Sequence, residues 1–499
     1  MIQTKVTRTL ALAGFAPAGK PGYANRRERL CRTRNSMGAL LMALTILAPY
    51  GTAQADGPAL TTIYNFTGAP SGCGVGGQPA CDGAVPFARV LVGANGALYG
   101  TTQQGGTANG GTVFELKPPA SPGDAWTETV IYSFPAVSFP VAALAAGENG
   151  ALYGTTYFGG DQGVGTVFEL ARPTSPGGTW TETTLYSFSG ASGDPQNPSA
   201  GVVIGKNGVL YGTVQYGGIS PICTYYGCGS VYSLTPPASP GGAWTEDTLY
   251  SFMGGNDGAV VVAGLVIGKN GALYGTTYSG GGSSICFSTE DVGCGTVFEL
   301  TPPASPSGSW TETVLYSFTG GSDGGFPSAV IIEGGRFYGT TTFGGALRAC
   351  GGFGCGSVFA LTPPTSPRGW TETVLYGFKG VPDGLYPGSG FLATLLTYSG
   401  SGLVMGGNGV LYGTTVDGGS SRNCPEDPGC GTVFEVAPPA APGGPWTEAV
   451  LHSFTGSDGF GPYTAPVIGK NGALYGTTTY GGTSTACTGG CGTVYELRP

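Results

Sequence analysis

Leu60-Thr-Thr-Ile-Tyr-Asn-Phe66, near the start of the chain, and Gly492-Thr-Val-Tyr-Glu-Leu497, close to its end, are two parts of one repeating unit. Strings like the second begin at Gly111, Gly165, Gly229, Gly295, Gly356 and Gly431, and each is followed by Trp-Thr-Glu-Thr-x-Leu-Tyr-Ser-Phe or a variant. Those partners begin at Trp126, Trp180, Trp244, Trp310, Trp370 and Trp446. Nothing of the kind follows Gly492; its closing half stands instead at 60–66. A linear array has no reason to be permuted by one strand. A ring has one, because the N-terminal strand then completes the last sheet and leaves no open edge.

Two further strings complete the unit. Leu-Tyr-Gly-Thr-Thr or a variant begins at Leu98, Leu152, Leu210, Leu273, Phe337, Leu411 and Leu474, each preceded by a short apolar run such as Val202-Val-Ile-Gly205. All four segments are short, rich in Val, Leu, Tyr, Phe and Thr, and bounded by Gly, Pro or Asn, which are strand signals. The apolar run and Leu-Tyr-Gly-Thr-Thr are joined by Asn-Gly at 95, 149, 207, 270, 408 and 471, with Gly334-Gly335 in the fifth copy. Asn-Gly suits the type I′ turn of a tight hairpin. The expectation is an all-β chain: a seven-bladed β-propeller of four-stranded blades (a, b, c, d from the centre outward), closed by 60–66 beside 492–497. An open β array is the competing architecture.

The ordered recurrence of these strings resembles the GloVer-type extracellular tandem-repeat proteins, also called choice-of-anchor repeat proteins. The resemblance implies an exported repeat protein, a propeller fold, and no catalytic residues to carry over. Such proteins often end in an anchoring segment, and this chain stops two residues after Leu497. The expectation is therefore a soluble secreted product.

Composition agrees with a packed, exported β protein. Of 499 residues 96 are Gly, 40% are apolar and only 10% charged; disorder and collagen are both excluded. Residues 1–36 are basic. An apolar run, 38–49, and Ala53-Gln54-Ala55 follow, so 1–55 reads as a signal peptide cleaved after Ala55, with 56–499 as the propeller. An N-terminal anchor is the alternative, although the run is too short to span a bilayer. Cleavage removes eight of 20 basic and one of 29 acidic residues, leaving 12 and 28, a net of −16. Such a surface repels phosphate backbones, so nucleic acid is not an expected partner. Of 13 cysteines Cys31 leaves with the signal; the others fall into close pairs, Cys73/Cys81, Cys223/Cys228, Cys286/Cys294, Cys350/Cys355, Cys424/Cys430 and Cys487/Cys491. These read as six small-loop disulfides, zinc being the alternative.

Loop lengths distinguish the two faces of the ring. The c–d connections are eight or nine residues throughout, whereas the b–c stretch is eight in blades 1 and 2 and then 14, 17, 14, 15 and 13. Five Cys pairs lie in the long b–c loops, which share their face with the variable d–a connections. Binding residues sit on loops of a rigid scaffold, so this is the candidate binding face; unselected drift is the other reading. Two insertions, Thr67–Val85 and Lys379–Ser401, lead into blades 1 and 6. Candidate ligand-binding rings are Tyr157, Phe158, Tyr216, Tyr278, Phe343 and Tyr480 at the exits of strand b, with Tyr386 and Tyr398 in the second insertion; packing between blades is the alternative.

Catalytic residues are not evident. Asp-Gly at 82, 257, 323, 383 and 458 is first a turn signal, and no metal or cofactor is expected. His452, the sole histidine after the signal, replaces a repeated Tyr in an outer strand and reads as packing. Non-repeated acids (Asp161, Glu290, Asp291, Asp417, Glu426 and Asp427), together with Arg348 and Arg422, are the remaining catalytic material. The expected function is a monomeric binding scaffold for a glycan or protein ligand; the alternative is a carbohydrate-active hydrolase or lyase at the channel mouth.

Overall fold

The computed structural model describes residues 57–499 except 69–81, 122, 176, 192, 224–225, 240, 287–292, 306, 347–349, 366–368, 389–401 and 425–427. The signal segment lies outside the described residues. The chain is a seven-bladed β-propeller of antiparallel blades, each ordered a-b-c-d. Blade 1 is built from Leu91–Val92, Leu98–Thr102, Thr112–Lys117 and Thr127–Ser133. Blade 7 is built from Val467–Ile468, Leu474–Thr478 and Thr493–Arg498, with Ala59–Asn65 as its outer strand. That strand runs antiparallel to the last one, from Ala59 opposite Arg498 to Asn65 opposite Thr493. The ring closes as the permuted repeat requires.

Each repeated residue has a physical task. The Gly of Leu-Tyr-Gly-Thr-Thr makes room for the aromatic ring of strand c: a Cβ on Gly100 would lie 2.4 Å from Phe114. That ring meets the closing Phe of the preceding blade's strand d, edge to face. The pairs run Phe66–Phe114, Phe134–Phe168, Phe188–Tyr232, Phe252–Phe298, Phe318–Phe359, Phe378–Phe434 and Phe454–Tyr495, with centroids 5.0–5.3 Å apart. Both rings are buried in every pair, and burial of such rings dominates the energetics of the wedge between blades.

The two threonines divide their work. The first donates its hydroxyl to a carbonyl of the next blade, from Thr101 to Ala142 O through Thr414 to Thr464 O, and Thr477 to Ala88 O closes the circle. These seven bonds span 3.0–3.2 Å. The second pairs with the hydroxyl opening strand c of its own blade, as Thr102 does with Thr112 at 2.7 Å. Blade 3 departs from this: Val214 faces Ser230, whose buried hydroxyl is left without a partner among the described residues.

Candidate functional site

At the loop face the inner strand of every blade begins with one residue in the left-handed region. These are Val85, Phe139, Asn197, Val260, Phe326, Tyr386 and Gly461, with φ between 52° and 64°. Six are not glycine, and a left-handed Val or Phe is strained by about 1–2 kcal/mol. The position is over-determined by a bond between blades. Its N–H donates to the carbonyl preceding the strand-c Gly of the previous blade: Gly110 O, Val164 O, Cys228 O, Cys294 O, Cys355 O, Cys430 O or Cys491 O. In five of the seven latches the acceptor is the second cysteine of a pair.

Five of the six expected disulfides are described: Cys223–Cys228, Cys286–Cys294, Cys350–Cys355, Cys424–Cys430 and Cys487–Cys491. The sixth expected pair is not among them, because Cys73 and Cys81 both lie outside the described residues. Cys81 directly precedes Asp82, where the described chain resumes. The sulfurs of four of the five bridges lie against glycines of the neighbouring d–a loop (Gly68, Gly320, Gly380 and Gly456); a Cβ on Gly320 would come within 2.6 Å of both Cys286 Sγ and Cys294 Sγ. Each of those four staples therefore fixes a b–c loop, a d–a loop and an inter-blade latch together, and Cys223–Cys228 fixes its b–c loop and its latch.

The Asp-Gly aspartates are turn organisers. Asp257, Asp323 and Asp383 each accept a hydrogen bond from the Tyr hydroxyl of strand d (Tyr250, Tyr316, Tyr376) and a main-chain N–H three residues beyond that Tyr. Asp82 does the same for Tyr64 and Thr67. His452 takes the Tyr role, its Nε2 lying 2.8 Å from Asp458. The strand-d glutamate of the next blade faces these aspartates. Burial, and then the neighbouring aspartate, raise Glu128 and Glu448 to about 8 and Glu312 and Glu372 to about 7. Between blades 6 and 7, where Asp458 is the turn aspartate, Leu60 stands in the glutamate's place.

The structure brings some of the candidate rings together and separates others. Tyr278, Phe326, Phe343 and Tyr386 form a continuous row over blades 4 to 6, with successive centroids 4.5, 5.7 and 5.3 Å apart. Phe326, the left-handed residue of blade 5, was not singled out from sequence. Tyr157 is buried and donates to Gln215 Oε1 at 3.0 Å, while Gln215 Nε2 donates to the hydroxyl of buried Tyr216. Phe158 packs on Tyr157 and Phe139, and Tyr480 stacks on Phe460 at 5.2 Å. Phe158, Phe343, Tyr386 and Tyr480 are partly exposed. Tyr398 lies outside the described residues, as do Phe391, Leu392, Leu395, Leu396, Glu290, Asp291, Arg348, Glu426 and Asp427. Asp161 of blade 2 and Arg422 of blade 6 are exposed, and Asp417 of blade 6 is half-buried. Among the described residues, no cluster of three His, Cys, Asp or Glu is placed to hold a metal ion, and no helix is long and apolar enough to cross a membrane.

Exposed apolar side chains concentrate on this face. Among the described residues nine large hydrophobics are exposed. Eight stand on b–c or d–a loops: Val137, Ile219, Ile222, Tyr226, Met253, Ile285, Phe353 and Val381. Ile219 and Phe353 are about three-quarters exposed, at 75% and 74%.

Strand a lines the second feature, a central cavity of about 510 Å³. Its wall is aliphatic, from residues such as Leu91, Leu144, Val203, Leu265 and Ile331, and among the described residues it contains one charged group, Arg89. Two residues before the a–b pairing position the blades carry Arg89, Ala143, Gly201, Gly264, Ala329, Gly402 and Ala465. Six small residues and one arginine form that ring. Aligning the seven strands a would have revealed it from sequence.

Several solved structures are distantly similar. The putative oxidoreductase (glucose dehydrogenase) of Thermus thermophilus is 15% identical, with a TM-score of 0.39 over 72% of this chain and 96% of its own. The soluble aldose sugar dehydrogenase of Escherichia coli is 11% identical, with a TM-score of 0.38 over 89% and 99%. An ancestral GH74 enzyme is 14% identical, with a TM-score of 0.48 over 84% of this chain and 49% of its own. No curated protein sequence matches significantly. Residues 48–226 match the Gloeobacter/Verrucomicrobia repeat, in agreement with the resemblance carried by the recurring Leu-Tyr-Gly-Thr-Thr, Gly-Thr-Val-Phe-Glu-Leu and Trp-Thr-Glu-Thr strings.

Proposed function

We propose that this protein is an exported, non-catalytic binding scaffold that takes a protein or glycan ligand on its disulfide-stapled loop face. The observation carrying the reading is the placement, among the described residues, of eight of nine exposed large apolar side chains on that one face. Exposed apolar residues gathered on one side of a fold mark an interaction surface. The staples hold the loops in place before a ligand arrives, which reduces the entropy lost on binding. Aliphatic tips such as Ile219, Ile222 and Ile285 suit a protein surface, while the partly exposed rings Phe158, Phe343, Tyr386 and Tyr480 suit sugar faces. Buried Tyr157, Tyr216 and Tyr278 would support those rings from behind.

Export is part of the same proposal. Stable disulfides form in oxidising compartments, and the basic-then-apolar N-terminus supplies the route, with cleavage after Ala55. N-terminal sequencing of the exported product should begin at Asp56. For ligand binding, the processed chain would be screened on a glycan array and by cross-linking to extracellular proteins of the producing cell. Loop variant Ile219→Ser/Ile285→Ser/Phe353→Ser should lose at least about tenfold in affinity for any hit, or about 1.4 kcal/mol. Undiminished binding by that variant, or turnover of a glycan by the wild type, would overturn the reading.

A further inference from the structure

Arg89 is chemically out of place. It projects from a ring otherwise made of Gly and Ala into a cavity whose other lining residues are almost all aliphatic. Among the described residues no carboxylate lines that cavity. Among the described residues the guanidinium has no hydrogen-bond or ion-pair partner, and burial lowers its pKa below the usual arginine value. An arginine stays charged at every accessible pH, and a partly desolvated charge without a counter-charge is costly. Beside it on blade 7, Thr464 lines the same cavity, and its buried hydroxyl also has no partner among the described residues. Two uncommitted donors thus share one apolar chamber.

We infer that the central cavity is a binding site for a small monocarboxylate with an apolar body, its carboxylate held by Arg89. The planar guanidinium presents two parallel N–H donors that match a carboxylate. One such fork neutralises one charge, and the acidic chain repels polyanions. The aliphatic wall, with Ala and Gly at the ring, offers packing area and few hydrogen bonds, so the rest of the ligand is hydrocarbon. A volume of about 510 Å³ lies within the range of small-molecule pockets. This site lies along strand a and is independent of the loop-face reading; either can fail alone.

Calorimetric titration with hexanoate tests the inference, with hexanamide as the neutral isostere and sulfate as the inorganic anion. Wild type should bind one hexanoate saturably, and hexanamide and sulfate each at least about tenfold more weakly. Arg89→Ala introduces the residue found at this position in blades 2, 5 and 7, and should lose at least about tenfold in hexanoate affinity while its hexanamide binding stays unchanged. Arg89→Met, which keeps the stem without the charge, should behave alike, and the wild-type comparison of the three probes needs no variant. Absence of saturable hexanoate binding, equal binding of sulfate, or unchanged affinity in Arg89→Ala would overturn the inference.

Discussion

Blades 1 and 2 and blades 3 to 7 solve one problem in two ways. Every blade must offer one carbonyl, at the entry to strand c, to the left-handed residue of the next blade. Blades 1 and 2 do so with eight-residue b–c loops and no cysteine, using Gly110 O and Val164 O. The five later blades use b–c loops of 13 to 17 residues and make the acceptor the second cysteine of a disulfide. A short loop fixes its own end, whereas a long one gains freedom that must be removed elsewhere. The staple is thus the structural condition for a long loop on this face. It lets the loop vary in sequence without disturbing the seam between blades.

The comparison should break first at blade 7, where staple, latch and ring closure coincide. A processed chain starting at Gly68 lacks the strand Ala59–Asn65 and the Phe66–Phe114 pair. It is expected to lose cooperative unfolding altogether, as read by circular dichroism on heating; a sharp transition near that of the full chain would contradict closure by this strand.

Next in size is the loss of one staple. Cys286→Ser/Cys294→Ser should cost about 2.5 kcal/mol on the chain-entropy relation for so short a loop, measured by urea unfolding. Replacing residues 278–294 of that variant with 103–110 of blade 1 should recover most of the loss without a disulfide. If the graft stays as weak as the double variant, the equivalence of short and stapled loops fails.

A smaller gain is expected inside blade 3. Val214→Thr restores the hydroxyl that its neighbours pair with, giving Ser230 a partner, and should stabilise by about 1 kcal/mol. A destabilised variant would mean that the Val methyls matter more to packing than the orphaned hydroxyl does.

The smallest effects concern protons at the outer rim. Glu128, Glu312, Glu372 and Glu448 have folded pKa values raised from 4.5 to about 7 or 8. The folded chain therefore holds protons that the unfolded chain releases, so this contribution is complete below pH 4.5 and is lost as pH rises through 7 to 8. Thermal midpoints should fall between about pH 5 and 9, and Glu128→Gln should flatten the fall; a midpoint rising over that window would contradict the acid pairing.

Much of this was legible in the chain itself. Strand identity, the a–b turns, the seven-fold count and the permuted outer strand all follow from motifs in which interacting residues lie close together or recur in register. Five of the cysteine pairs were readable for the same reason, since they bridge only four to eight positions. The aspartates were legible as turn groups because an Asp-Gly turn is local, whereas His452, read as packing, takes the repeated Tyr's hydrogen bond to the turn aspartate. The tertiary structure alone decided what happens between blades. Val85 meets Cys491, Thr477 meets Ala88 and Phe326 joins the ring row because closure brings distant residues into one wedge. A repeat writes its local hydrogen bonds into every copy. Which odd residue, such as Arg89, ends up facing the shared axis depends on where all seven copies come to rest.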